Sequence, residues 1–200
     1  MAVPCNIGRK EELQQLVAAV EERWGKVDIL VCNAAINPWI GSTLDVEDAT
    51  FRKVMETNLM GAHWLCQLVL PGMIERQSGH IVNISSIAGI EVYPNGSVYC
   101  ASKHDVNAIT KGLRIDLVKQ GIRVSSISPG MAETEFSLVR YHGDDAKAKA
   151  VYQGVEPLLA DDIADALEFI VTRPSHVMIN DIQINPAQQA NTYITHRKQF

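Results

Sequence analysis

The sequence predicts an α/β fold: a doubly wound parallel sheet with helices on both faces. Three observations predict it. Short apolar runs alternate with helical patterns of ten or more residues, the signature of strand–helix–strand units. The run Ile29-Leu30-Val31-Cys32 is apolar throughout rather than at every second position, which suits a strand covered on both faces. Polar or Gly/Pro residues end each run, where open parallel sheets bind ligands.

Residues 9–24 place Leu13, Leu16, Val17, Val20 and Trp24 on one face at helical spacing, and Gly25 stops the helix. A first strand over 28–32 ends at Asn33. Residues 33–45 are loop-like, and 46–75 form a long helical pattern broken near Pro71-Gly72. A second strand over 80–84 ends at Ser85 and Ser86, followed by a Gly/Pro-bearing loop at 87–97. A long helix over 97–119 closes at Gly121, and a third strand over 122–127 closes at Pro129-Gly130. Residues 131–145 form a loop with one or two turns. A helix over 161–172, a strand over 177–184 and a polar tail complete a single domain over 1–200.

Composition excludes several partners. The net charge is −5 and no basic run occurs, which argues against nucleic acid and anionic membranes. No apolar run approaches the roughly 18 residues of a membrane span. The four cysteines form no Cys-x-x-Cys pair, and with no export signal they read as reduced thiols in a cytoplasmic protein. The histidines lie too far apart for a zinc helix, so no metal is expected. The 13 glycines never come closer than seven residues, so no glycine loop that cradles phosphate is present.

The strand ends carry the candidate chemistry. Tyr99 and Lys103 lie four apart on a predicted helix, hence on one face. An ammonium beside a phenol favours the phenolate and tunes it for proton transfer. Ser86 stands at a strand end 13 residues earlier, where its hydroxyl would bond the same substrate oxygen. An isolated Tyr-x-x-x-Lys is more often a surface pair, but this one has company.

Asn83 to Gly89 resembles the serine strand of the short-chain dehydrogenase/reductase family, and Tyr99-Cys100-Ala101-Ser102-Lys103 its Tyr-x-x-x-Lys helix. Thr57-Asn58-Leu59-Met60-Gly61 is similar to its catalytic-asparagine helix, and Cys32-Asn33-Ala34-Ala35 to its Asn-Asn-Ala-Gly turn. Pro129-Gly130 with Thr134 resembles the turn and threonine that hold the nicotinamide and diphosphate. Glu133 to Ser137, Val139-Arg140, Gly143 to Asp145 and the C-terminal tail resemble the subgroup of NADP-dependent 3-hydroxy acid dehydrogenases that act on serine or allo-threonine.

The resemblance implies a Rossmann-like domain that binds NADP or NAD and moves a hydride between it and a secondary alcohol or ketone. It implies that Tyr99 is the general acid/base and that Lys103 lowers its pKa and holds the nicotinamide ribose. Ser86 would orient the substrate oxygen, and Asn58 would anchor a water linking Lys103 to solvent. Asn33, Ala34, Ala35, Pro129, Gly130 and Thr134 would line the cofactor. Arg140 would grip a substrate carboxylate bidentately, although a solvated arginine is as good a reading of that residue alone. The family further implies a homo-dimer or homo-tetramer packed through helices 46–75 and 97–119, with Asp105 an unusual residue there.

The sequence departs from the pattern at its start. The family's first strand, glycine turn, first helix and second strand have no counterpart, so the domain reads as truncated and N-terminally incomplete. Residues 1–5 are expected to pair with strand 28–32. Two functions follow: a dehydrogenase carrying the catalytic half, or a non-catalytic remnant that folds or associates without binding dinucleotide well.

Overall fold

The structure, a computed structural model, describes residues 1–198. Four parallel strands, β1 (Ile29–Cys32), β2 (Gly79–Ile84), β3 (Ile122–Pro129) and β4 (Asp181–Ile184), lie in the order β1-β2-β3-β4. Between them run α1 (Lys10–Trp24), α2 (Asp48–Met55), α3 (Gly61–Glu75), α4 (Ser97–Leu117), α5 (Glu135–Arg140), α6 (Asp145–Ala150) and α7 (Ala160–Val171).

Alternation along β2 splits the core into two layers. Ile81 faces one way, with Val124 beside it, and packs with Leu13 and Val17 of α1, Leu65 and Val69 of α3 and Leu117 of α4. Val82 faces the other way and packs with Ile127 and with Ile170 of α7. Helices therefore cover both faces, as the doubly wound reading requires. Cover on the α7 side is complete only over β2 to β4. On β1, Ile29 shares that side with His80, its neighbour in register, and remains 46% exposed.

Several boundaries differ from the sequence reading. Residues 1–5 form no ladder with β1. Pro4 has no N–H to donate, and Asn6 folds the chain into a turn by accepting from Gly8 N at 3.0 Å. Cys5 and Ile7 instead pack against the core beside α1. The outer edge of β1 thus stays open. A groove of about 320 Å³ runs along it, lined by Ile7, Leu16, Val20, Leu30 and Val31.

The break in the 46–75 helix falls at a π-helical turn over Glu56–Met60, and not at Pro71, which sits within α3. Packing of Val69 and Met73 holds α3 through the lost proline bond. The 131–145 loop contains α5 and the start of α6. β3 runs two residues beyond its expected end, whereas β4 is only Asp181–Ile184.

One buried polar pair couples this core to pH. His80 on β2 is 1% exposed, and its Nε2 lies 2.8 Å from Ser125 Oγ. Its Nδ1 is buried without a partner among the described residues. Burial, then the nearby Arg123 charge, lowers its pKa from 6.5 to about 4. Below pH 6.5 the unfolded chain takes up a proton that the folded chain refuses until about pH 4. Stability is therefore lost as pH falls through that window, by about 3 kcal/mol for this group. Urea unfolding at pH 7 and pH 4.5 is expected to show the loss, and His80→Gln to flatten it.

Candidate active site

The site gathers at the carboxyl ends of the strands. β2 delivers Ser85 and Ser86. Ser86 caps a single 3-10 turn, its Oγ accepting from Ala88 N at 3.1 Å and donating to Pro129 O at 3.4 Å. The chain then returns along α4, which carries Tyr99 and Lys103 past the serine turn. Gly89 permits the approach. A Cβ there would meet Lys103 O at 2.6 Å, Asn107 Nδ2 at 2.7 Å and Ser85 Oγ at 2.8 Å. Asn107 Nδ2 also donates to Gly89 O at 2.9 Å, which fastens turn to helix.

Tyr99 and Lys103 are both buried, at 9% and 2% exposure. Lys103 Nζ donates to Ile84 O at 2.8 Å and lies 5.8 Å from the Tyr99 ring centroid. Burial lowers the Lys103 pKa to about 8. Burial pushes the Tyr99 phenol well above its ordinary value, with the Tyr93 phenol adding to the rise. The Ser86 hydroxyl and the Arg140 guanidinium pull it back in part. The expected lowering by Lys103 is thus not what governs Tyr99 here. The ammonium sits against the ring rather than at the hydroxyl, and desolvation outweighs it.

Asn58 lies within the π-helical turn, which presents it inward, where its Oδ1 accepts from Ile36 N at 2.7 Å. Its Nδ2 donates to Ile36 O at 2.9 Å and to Ser102 Oγ at 3.0 Å. It therefore ties the loop after β1 to α4.

The remaining predicted residues form the rim. Asn33 and Ala34 are exposed at the end of β1 and line the open groove, with Ala35 half-buried behind them. Gly130 closes β3 by donating to Ile184 O at 2.7 Å, and it packs against Asn185 and Gln189. Thr134 caps α5, its Oγ1 accepting from Phe136 N at 3.2 Å. At the far end of α5 stands Arg140, whose charge reaches the Tyr99 phenol.

Sequence reasoning missed three residues. Phe136 packs on Tyr99 with ring centroids 5.7 Å apart. Tyr93, in the 87–97 loop, joins the same cluster. Asn37 is 3% exposed, and its Nδ2 donates to Tyr93 Oη at 3.5 Å. The C-terminal segment braces this loop: Thr192 donates from N and Oγ1 to Glu91, and the Tyr193 hydroxyl to Val92 O. An aromatic amid loop glycine and proline was the one available signal for Tyr93.

The donor set suits one end of a dinucleotide. A buried ammonium with no carboxylate partner, a phenol and a serine hydroxyl offer donors to a ribose and a substrate oxygen. Nothing in the sequence replaces a glycine turn for the diphosphate. Among the described residues, no cluster of three metal-ligating side chains occurs, and no helix is long and apolar enough to cross a membrane.

Fold and site together define a dehydrogenase of the Rossmann type. Residues 1–143 match the short chain dehydrogenase family, and the chain belongs to it, a family of NAD(P)-dependent oxidoreductases. It is 37% identical over 188 residues to the NADP-dependent 3-hydroxy acid dehydrogenase YdfG of Escherichia coli K12, covering 92% of this chain and 75% of that one. The NADP-dependent 3-hydroxy acid dehydrogenase of Schizosaccharomyces pombe is 35% identical over 184 residues, covering 92% and 71%. The closed form of a serine dehydrogenase complexed with NADP+ superposes with a TM-score of 0.91 at 34% identity, over 98% of this chain and 80% of that chain.

Gly89 gives this site a direct test. Gly89→Ala is expected to push α4 off the serine turn and to lower stability by about 1–3 kcal/mol, read by thermal unfolding. An unchanged melting temperature would show that the close approach is not a constraint.

Proposed function

We propose that the chain is an oxidoreductase that moves a hydride between NADP and a small 3-hydroxy acid or its keto counterpart, with Tyr99 as general acid/base. The observation that carries the reading is the convergence of Ser86, Tyr99 and Lys103 at the carboxyl end of β2. The names of the relatives support NADP over NAD and a hydroxy acid as substrate.

The nicotinamide, when bound, supplies hydride chemistry. The chain's own residues do the rest. Lys103, fixed to Ile84 O, would donate to the nicotinamide ribose. Asn33, Ala34, Ala35, Pro129, Gly130 and Thr134 would line that end of the cofactor. The Ser86 hydroxyl would orient the substrate oxygen toward Tyr99. Tyr99 would exchange the proton at its Oη with that oxygen as the carbinol and carbonyl forms interconvert. Its raised pKa keeps the phenol protonated at neutral pH, so the proton is in place at Oη when a carbonyl form is bound. Arg140 would bind the substrate carboxylate. Phe51 on α2 and Ile115 on α4, 39% and 75% exposed, support a homo-dimer or homo-tetramer through those helices.

The open edge of β1 favours a second reading, a folded chain that associates without binding dinucleotide well. Titration calorimetry with NADPH and NADH separates the two. Micromolar binding of NADPH supports the first, and no binding at millimolar cofactor supports the second. In the first case Tyr99→Phe is expected to lower turnover about a hundredfold to ten-thousandfold with an unchanged fold. Near-normal turnover in the Phe variant would overturn the acid/base role.

A further inference from the structure

Arg140 leaves an imbalance that the catalytic residues do not resolve. Its Nε is buried and has no hydrogen-bond partner among the described residues. A desolvated guanidinium N–H without an acceptor is costly, and native proteins rarely tolerate one without a purpose. A solvated surface arginine would not bury that atom.

The surroundings say what acceptor belongs there. α5 carries Phe136 and Arg140 one turn apart, so Arg140 rises from the same side as the ring that packs on Tyr99. The Arg140 guanidinium carbon stands 5.8 Å from the Tyr141 ring centroid, and its charge reaches both the Tyr93 and the Tyr99 phenol. Tyr93 is set by two contacts. Gly96 leaves room for its ring, which any side chain at that position would strike. Asn37 Nδ2 donates to Tyr93 Oη, which uses an oxygen lone pair and leaves the hydroxyl proton free to point outward. The Tyr152 phenol is spoken for, since its Oη bonds Ser137 Oγ at 2.6 Å and Ala132 O at 2.8 Å.

We propose that Arg140 and the Tyr93 hydroxyl, held by Asn37, form a carboxylate pocket beside Tyr99, and that Tyr93 and Asn37 determine specificity for hydroxy acids. The inference rests on the oxidoreductase reading and deepens it. The guanidinium Nε–H and the phenolic O–H converge on one acceptor, the pattern that suits a planar carboxylate. A neutral alcohol of equal size would leave both donors unpaired. Tyr93 binds the ligand, and Asn37 is a positioning residue that acts through Tyr93.

The test is titration of the 200-residue chain with 3-hydroxypropanoate and with 3-hydroxypropanamide, followed through the arginine Nε–H resonances. The acid is expected to shift the Arg140 resonance far more than the amide, whose carbonyl oxygen accepts but carries no charge and offers no second acceptor oxygen. Tyr93→Phe and Arg140→Lys should each weaken acid binding about tenfold and amide binding much less. The lysine variant keeps the charge and loses the fork, so it separates geometry from charge. Asn37→Ser should weaken the acid far more than the amide, whereas a merely structural role would move both ligands together. No shift in the parent chain, equal shifts with acid and amide, or a Tyr93→Phe variant with unaltered acid affinity would each overturn the pocket. Failures of the two readings stay distinct. Acid-selective binding without turnover removes the dehydrogenase assignment and keeps the pocket. Equal kcat/KM on acid and amide removes the pocket and keeps the assignment.

Discussion

The structure depends on how closely α4 approaches the turn that follows β2. At Gly89 there is no room for a single added carbon between the turn and the Lys103 carbonyl. That approach sets the depth at which Lys103 meets Ile84 O and Tyr99 meets the Ser86 hydroxyl. It brings together residues from a strand end, a turn and a helix, with Ile84 and Lys103 separated by 19 positions in the chain. The Asn107 bond to Gly89 O makes the approach attractive as well as possible. Asn58 adds a second fastening through Ser102, which links α4 to the loop beyond β1.

Burial is the dominant electrostatic term in the resulting site. It lowers the lysine and raises the tyrosine, so both drift toward their neutral forms. A Tyr–Lys pair is usually pictured as a cation stabilising a phenolate, but the ammonium here is committed to a backbone carbonyl. The phenol is pulled back instead by the Ser86 hydroxyl and the Arg140 guanidinium. Burial still prevails and holds the phenol protonated at neutral pH. Occupancy of the substrate side, rather than the lysine alone, would then govern how readily the phenol ionises.

Much of this was legible in the residues. The apolar run at 29–32 and the alternation of short strand-like runs with helical patterns of ten or more residues pointed to the parallel sheet, because strand–helix–strand units return each strand in the same direction. Tyr99, Lys103 and Ser86 were legible because a helix places i and i+4 together and a strand end faces the ligand side. The failures have a common cause. Asn37, Tyr93 and Phe136 lie on separate loops and a short helix, and no periodicity links positions that only tertiary packing gathers. The helix break expected near Pro71 falls instead at a π-helical turn over Glu56–Met60, and local sequence does not announce such a turn. The pairing expected of residues 1–5 gave too little weight to Pro4 and to the side-chain turn at Asn6.

The open side of β1 has a consequence for how the molecule breathes. Ser86, Tyr99 and Lys103 hang from β2 or α4, whose backbone groups are bonded on both flanks or within a long helix. β1 is bonded on one flank only, and Ile29 contributes little to any core. Opening fluctuations are therefore cheapest at that end, and amide hydrogens of β1 should exchange with solvent long before those of β2 and β3. The chain is accordingly graded, firm where proton transfer would occur and soft along the groove. Loosening at the soft end would reach Asn33 and Ala34 before it disturbed the arrangement around Tyr99.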